Sequence, residues 1–186
     1  MGDLQQSCLV LELSLALKGN GSWAGETHIQ KAAYFLSAML GVPVGTTFIL
    51  YKHGPFSFEL RELLTEMEAQ GFIKWNPSPP YGPSISEGVF SSNLRAKFSS
   101  LADRYEEHIR FIARKLGNRN VSELERLATA LYVNQEGFTG AARVARLVAL
   151  KPHVDVRLAE KAVEEFDQIH REAIQEQLAG CPTSRF

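Results

Sequence analysis

The chain is short of cysteine, of net charge and of long apolar runs, and each shortage removes a class of protein. Only two cysteines occur among 186 residues, Cys8 in an apolar stretch and Cys181 between glycine and proline. That is no disulfide framework, and no C-x-x-C pair offers a metal or redox site. The formal net charge is −1, so there is no global pull toward nucleic acid or anionic lipid. The apolar stretch from Cys8 to Leu17 is too short to span a bilayer and is interrupted by Glu12 and Ser14. No basic leader frames it, and the expected location is the cytoplasm. Glycine-rich phosphate loops are absent too. Gly19-Asn20-Gly21 follows a helical stretch rather than a strand and lacks the Lys-Ser/Thr ending.

What is present is an ordinary globular composition, 45% hydrophobic and 22% charged. A chain of this length buries about 70% of its unfolded surface and needs neither metal nor disulfide to hold together. Apolar spacing predicts a first helix over Leu4 to Leu17. Thr27-x-x-Gln30 has the pattern of a capping box and predicts a second helix from His28 to Leu40, apolar nearly all round and therefore central. Thr46 to Lys52 reads as a strand broken by His53-Gly54-Pro55. Ser57 is placed to cap a helix over Phe58 to Gln70, in which Leu60, Leu63, Leu64 and Met67 form one stripe. Phe72 to Trp75 and Ser84 to Phe90 read as strands separated by a proline-crowded loop over Asn76 to Pro83.

The remainder reads as helical. One helix is expected over Leu94 to Leu116, with a break at Ser99-Ser100. A second opens on a Ser122-x-x-Glu125 box and runs through Tyr132. A third spans Ala141 to Leu150 and is cut at Lys151-Pro152. The last runs from Val156 to about Leu178. The fold class is mainly α with a small β component: a winged-helix-like N-terminal half packed on a C-terminal helical bundle. Residues 1–92 and 93–180 share one core, and 181–186 form a tail.

The chemistry-bearing residues point away from catalysis. None of the five histidines sits in a zinc-helix spacing, and no metal or cofactor site is expected. His53 and Ser57 lie four apart, but the helix-start position already accounts for Ser57, and no catalytic residue is assigned. DNA reading is disfavoured by sign. The helix after the Gly-Pro bend carries Glu59, Glu62, Glu66 and Glu68 against Arg61 alone, the wrong charge for phosphate. Positive charge gathers over Asn93 to Asn120, seven cations against three acids, with Arg104, Arg110, Arg114 and Lys115 as a candidate basic face. Asp155 to Leu178 has the opposite balance, seven acids against three cations. The two readings of the basic face are a solvated surface with pairs such as Glu106 and Arg110, or a dock for an acidic protein or a nucleic acid.

One motif pair is more specific. Ile29-Gln30-Lys31-Ala32-Ala33-Tyr34-Phe35-Leu36 is followed by Phe48 to Leu60, F-I-L-Y-K-H-G-P-F-S-F-E-L, then by Gly71 to Ile73 and Tyr81 to Pro83. This resembles the YwgA-like proteins and the related Panacea domain, the SocA-like antitoxin domain. There an L-Q-K-x-x-Y helix precedes a strand ending in Y-x-x-G-P-[FY]-S. Ile29 replaces the usual leucine, and Ser84 to Gly88 fits the usual L-T-x-x-G loosely. The resemblance implies a non-enzymatic module that neutralises or regulates a partner protein, such as a toxin, by direct contact. Its candidate site residues are Gln30, Lys31, Tyr34, Tyr51, His53, Gly54, Pro55 and Ser57. Gln30, Lys31, Tyr34 and His53 are hard to explain as packing. Lys31 lies on a helix expected to be buried, and needs a carboxylate or the carbonyls of the His53 to Pro55 turn. The alternatives are a winged-helix nucleic-acid regulator, or a small-ligand site or enzyme centred on Lys31, Tyr34 and His53. A second copy of the chain remains a further candidate partner.

Overall fold

The computed structural model of the chain describes residues 3–79 and 81–179. Cys181 and the tail expected at 181–186 lie outside these. The architecture is mainly α with two small antiparallel sheets. In chain order the elements are α1 (Asp3–Gly19), α2 (Glu26–Ala38), β1 (Ile49–Tyr51), β2 (Gly54–Phe56), α3 (Phe58–Ala69), β3 (Ile73–Ser78) and β4 (Tyr81–Glu87). There follow α4 (Ser91–Lys97), α5 (Ser99–Leu116), α6 (Val121–Gln135), α7 (Ala141–Leu150) and α8 (Val156–Gln175).

α1 and α2 lie at the centre. Apolar residues cover several faces of α1, and Ser7 to Leu11 are buried without a break. In α2 every residue from His28 to Leu36 is buried, Gln30 and Lys31 among them. α1 packs on α5, α2 on α6, and α6 on α8, so one apolar cluster draws on both halves of the chain. Among the described residues no helix is long and apolar enough to cross a membrane.

Several local expectations shift. α2 starts at Glu26 behind Gly25, and Thr27 is not its cap; Gln30 is engaged elsewhere. The box that opens α6 is Asn120 with Glu123, not Ser122 with Glu125. Asn120 Oδ1 accepts from the Glu123 N–H at 3.0 Å, and Glu123 Oε2 accepts from the Asn120 N–H at 2.9 Å. The break before α5 falls at Phe98, one residue earlier than Ser99. Ser57 does cap α3, its Oγ accepting from the Leu60 N–H at 3.1 Å, and Leu60, Leu63, Leu64 and Met67 face inward.

The strands differ most. Gly54 and Pro55 do not end a strand but begin the return strand of a tight hairpin, with Tyr51 opposite Gly54 and Ile49 opposite Phe56. The turn is Lys52-His53, and Gly54 follows at φ +87°, which glycine adopts without penalty. The proline-crowded stretch is not an open loop either. β3 runs to Ser78 and β4 starts at Tyr81, with an irregularity between Asn76 and Ser78. A two-stranded ribbon has two edges, so Pro77 and Pro83 find positions that demand no N–H donor. This ribbon follows α3, where a wing would stand in chain order, but β1 pairs with β2 in a separate sheet.

The ribbon is pinned at both ends. The Ile85 N–H donates to Ala24 O at 3.0 Å, and Trp23 Nε1 donates to Gly82 O at 2.9 Å. At its exit Gly88 passes so close to the end of α3 that a Cβ there would stand 2.2 Å from Gly71 O.

Candidate functional site

The β1–β2 hairpin is held from beneath by buried polar side chains of three helical segments. From α2, Gln30 spans Ser57 on both sides: its Nε2 donates to Ser57 O at 2.8 Å and its Oε1 accepts from the Ser57 N–H at 2.9 Å. One helical residue further, Lys31 Nζ donates to Pro55 O at 2.8 Å. From the end of α7, Lys151 Nζ donates to Lys52 O. From α6, Glu125 Oε1 stands 3.0 Å from His53 Nδ1. Gly54 closes the arrangement by passing over α6. A Cβ there would meet Thr129 Oγ1 at 3.1 Å and approach Lys31 Nζ to 3.9 Å.

Two buried ammonium groups thus grip two carbonyls of one hairpin, and Glu125 is the anion whose field acts on both. Burial is the largest influence on Lys31 and lowers its pKa from 10.5 to about 8, against the opposing pull of Glu125. Burial likewise lowers Lys151. The unfolded chain keeps the Lys31 proton up to about 10.5, whereas the folded chain releases it near 8. Over that window the unfolded state binds more protons, so stability rises with pH. Two groups oppose this at higher pH. Burial raises the Cys8 thiol from 9.0 to about 11, and burial raises the Tyr34 phenol above its usual value of 10.0. Their unfolded forms ionise first, which favours unfolding from about pH 9 upward. The expected result in urea titrations is a midpoint that climbs between pH 8 and 9 and flattens or falls beyond it. In Lys31→Met the climb shrinks, and an unaltered climb would contradict the assignment.

The remaining motif residues divide into supports and surface. Tyr34 donates to Gln135 Oε1 at 2.6 Å, and Gln135 Nε2 donates to Ala38 O at 3.0 Å, which ties α2 to the end of α6. Ser57 is fully buried at its cap and His53 faces Glu125, so the two form no nucleophile–base pair. Tyr51 points outward. Its ring lies 5.9 Å from Phe56 and 5.5 Å from Phe58, and Phe56 and Phe58 are 5.1 Å apart. Tyr51 is 46% exposed, Phe58 45% and Ile49 49%. The gripped hairpin and the start of α3 therefore present an exposed aromatic cluster. Arg61 lies over Phe56 at 4.6 Å and pairs with Glu26 at 2.7 Å.

Three of the four residues of the candidate basic face, Arg110, Arg114 and Lys115, meet acids within the chain. Arg110 pairs with Glu106 and Glu107 on its own helix. Arg114 pairs with Glu176, Lys115 with Glu172, and Arg119 with Glu165, so the cations of α5 and the turn after it face the acids of α8. Arg104 lies over its neighbour Tyr105.

Four contributors were not singled out by the sequence. Glu125, which reads in sequence as part of a capping box, and Lys151, which reads as a helix end, reach the hairpin from far along the chain, and no local signal marks that role. Phe56 and Phe58 flank the buried Ser57, and their alternation with it was the available signal. A separate cleft of about 890 Å³ opens between α2, α3, the ribbon and the turn before α6. Trp23, His28, Arg61, Leu64, Trp75 and Asn120 are among its walls. Lys31, Tyr34 and His53 do not line it. Buried His28 places Nε2 3.2 Å from Arg119 O, and burial lowers its pKa. Among the described residues no three His, Cys, Asp or Glu side chains are grouped to hold a metal ion. No protein-family model matches the chain, and no curated protein matches its sequence.

Proposed function

We propose that the chain is a non-enzymatic protein-interaction module, resembling the Panacea-type antitoxins, that acts in the cytoplasm by binding a partner protein through the β1–β2 hairpin and the start of α3. The observation that carries this reading is the exposed pair Tyr51 and Phe58, packed on half-buried Phe56 and standing on a hairpin held by Gln30, Lys31 and Lys151. Aromatic side chains supply large contact area at little conformational cost and dominate the energetics of protein interfaces. Anchoring the turn from below removes the ordering cost that a free hairpin would meet on binding. Supporting the same reading, Gln30, Lys31 and Ser57 are engaged in holding this surface rather than facing a pocket. The acids of α3 also disfavour a polyanionic ligand.

The test is co-expression with the product of the reading frame beside the gene. That product is expected to arrest growth alone and to be harmless with this chain. The double variant Tyr51→Ala/Phe58→Ala, shown to be folded by circular dichroism, is expected to lose protection. Protection by the variant equal to that of the parent would overturn the hairpin as the contact surface.

A further inference from the structure

Beside the aromatic cluster lies a ridge of carboxylates. Phe58, Glu62 and Glu66 follow at four-residue intervals along the outer face of α3, opposite the buried Leu60, Leu63, Leu64 and Met67. The acids of α3 are not equivalent. Glu59 accepts from the Thr47 N–H at 2.7 Å, and Glu68 accepts from the Trp75 N–H at 3.3 Å. Glu62 and Glu66 are exposed, and among the described residues no cation stands within ion-pair distance of either. Arg61, the one cation of this helix, is turned to the other side, over Phe56 and onto Glu26.

We infer that the surface formed by Tyr51, Phe58, Glu62 and Glu66 receives a cationic, arginine-bearing segment of a partner polypeptide. This rests on the reading of the hairpin as a protein-docking surface and names the chemistry of its occupant. A guanidinium stacks on an aromatic face and pairs with a carboxylate at the same time, because its plane and its edge are used separately. The chain already does this once: Arg61 covers Phe56 with its plane while its Nε meets Glu26. Tyr51 and Phe58 repeat the aromatic half with exposed rings, and Glu62 and Glu66 repeat the acidic half with no internal cation. A phosphate backbone or an anionic bilayer brings the wrong sign to this ridge. The densest cation group of a second copy, Arg110, Arg114, Lys115 and Arg119, is already engaged with acids of its own chain.

The probe is a short peptide of alternating arginine and leucine, titrated into the isotopically labelled full chain and followed by amide chemical shifts. Its counterpart with glutamate for arginine is titrated in parallel. The arginine peptide is expected to shift amides of Ile49 to Phe58 and of Glu62 to Glu66, and the glutamate peptide to leave them in place. Charge reversal in Glu62→Lys/Glu66→Lys is expected to weaken the arginine peptide by about tenfold or more. The matched reversal Glu160→Lys/Glu164→Lys, on the exposed face of α8, is expected to leave its affinity unchanged. Absence of binding, shifts that map elsewhere, equal loss in both reversals, or self-association through this face each overturn the inference. Co-expression separates the two claims. Protection lost with Tyr51→Ala/Phe58→Ala but kept with Glu62→Lys/Glu66→Lys removes the cationic occupant and leaves the docking surface standing. Protection kept with both removes both.

Discussion

Replacing Gln30 with leucine is expected to cost about 1.5–4.5 kcal/mol and to lower the thermal midpoint by roughly 3–18 °C. The size follows from what the carboxamide does. It is fully buried, and it satisfies both the N–H and the carbonyl of Ser57. Leucine has similar volume, so packing is nearly preserved and the loss isolates the two hydrogen bonds. The Ser57 N–H is left without a partner, which costs about 1–3 kcal/mol when no water can reach it, whereas the Ser57 carbonyl keeps the Arg61 N–H at 3.3 Å and loses about 0.5–1.5 kcal/mol with the second bond. Ser57 is itself buried, and it is the joint between β2 and α3. Chemical denaturation checks the total. Faster amide exchange around Ser57 and Leu60 would show that the damage is local. A loss below about 1 kcal/mol would mean that water reaches the joint and that the bidentate contact contributes little.

Glu125→Gln should be the next most damaging single change near the hairpin. The substitution keeps shape and removes one charge, the charge that supports two buried ammonium groups. An opposite charge nearby is worth about 1–2 kcal/mol to each of them, so the expected loss near neutral pH is about 2–4 kcal/mol. The loss also has a pH signature. Without Glu125 the folded state releases the Lys31 and Lys151 protons at lower pH than the parent does, while the unfolded state is unchanged. The window in which stability rises with pH therefore begins earlier, and the deficit of the variant narrows toward pH 9. Equal deficits at pH 6 and pH 9 would show that Glu125 does not act by its field on the lysines.

These two residues also mark where sequence reading succeeds and where it stops. Helix existence was legible, because the apolar stripe of α3 and the uniformly apolar α2 follow from side-chain period alone. The need of Lys31 for a partner was legible from its place on a buried helix, and one of the two expected partners, the turn carbonyls, is the one found. Two capping boxes were misplaced, and for one reason. Thr27-x-x-Gln30 and Ser122-x-x-Glu125 both satisfy the local pattern, yet Gln30 and Glu125 are the two side chains drawn into the hairpin. A residue three positions into a helix can reach back to its own N-terminus or outward to another element. Sequence spacing does not distinguish these, because the competing partner lies far along the chain. Lys151 was hidden for the same reason, being separated from Lys52 by ninety-nine positions. The hairpin itself was read as a strand and a break because glycine and proline punctuate most chains. Here positive φ at Gly54 makes the turn, and Pro55 lies in a ribbon that tolerates it.

The grip on the hairpin has a consequence for synthesis of the chain. Lys31 and Gln30 precede the turn, but Glu125 and Lys151 are translated long after it. Until they emerge, the Lys52 carbonyl lacks its donor and the Lys31 ammonium lacks its counter-charge. A nascent or prematurely ended polypeptide therefore carries Tyr51, Phe56 and Phe58 on an unfinished support. The support of the hairpin is complete only once the C-terminal third of the chain has been made.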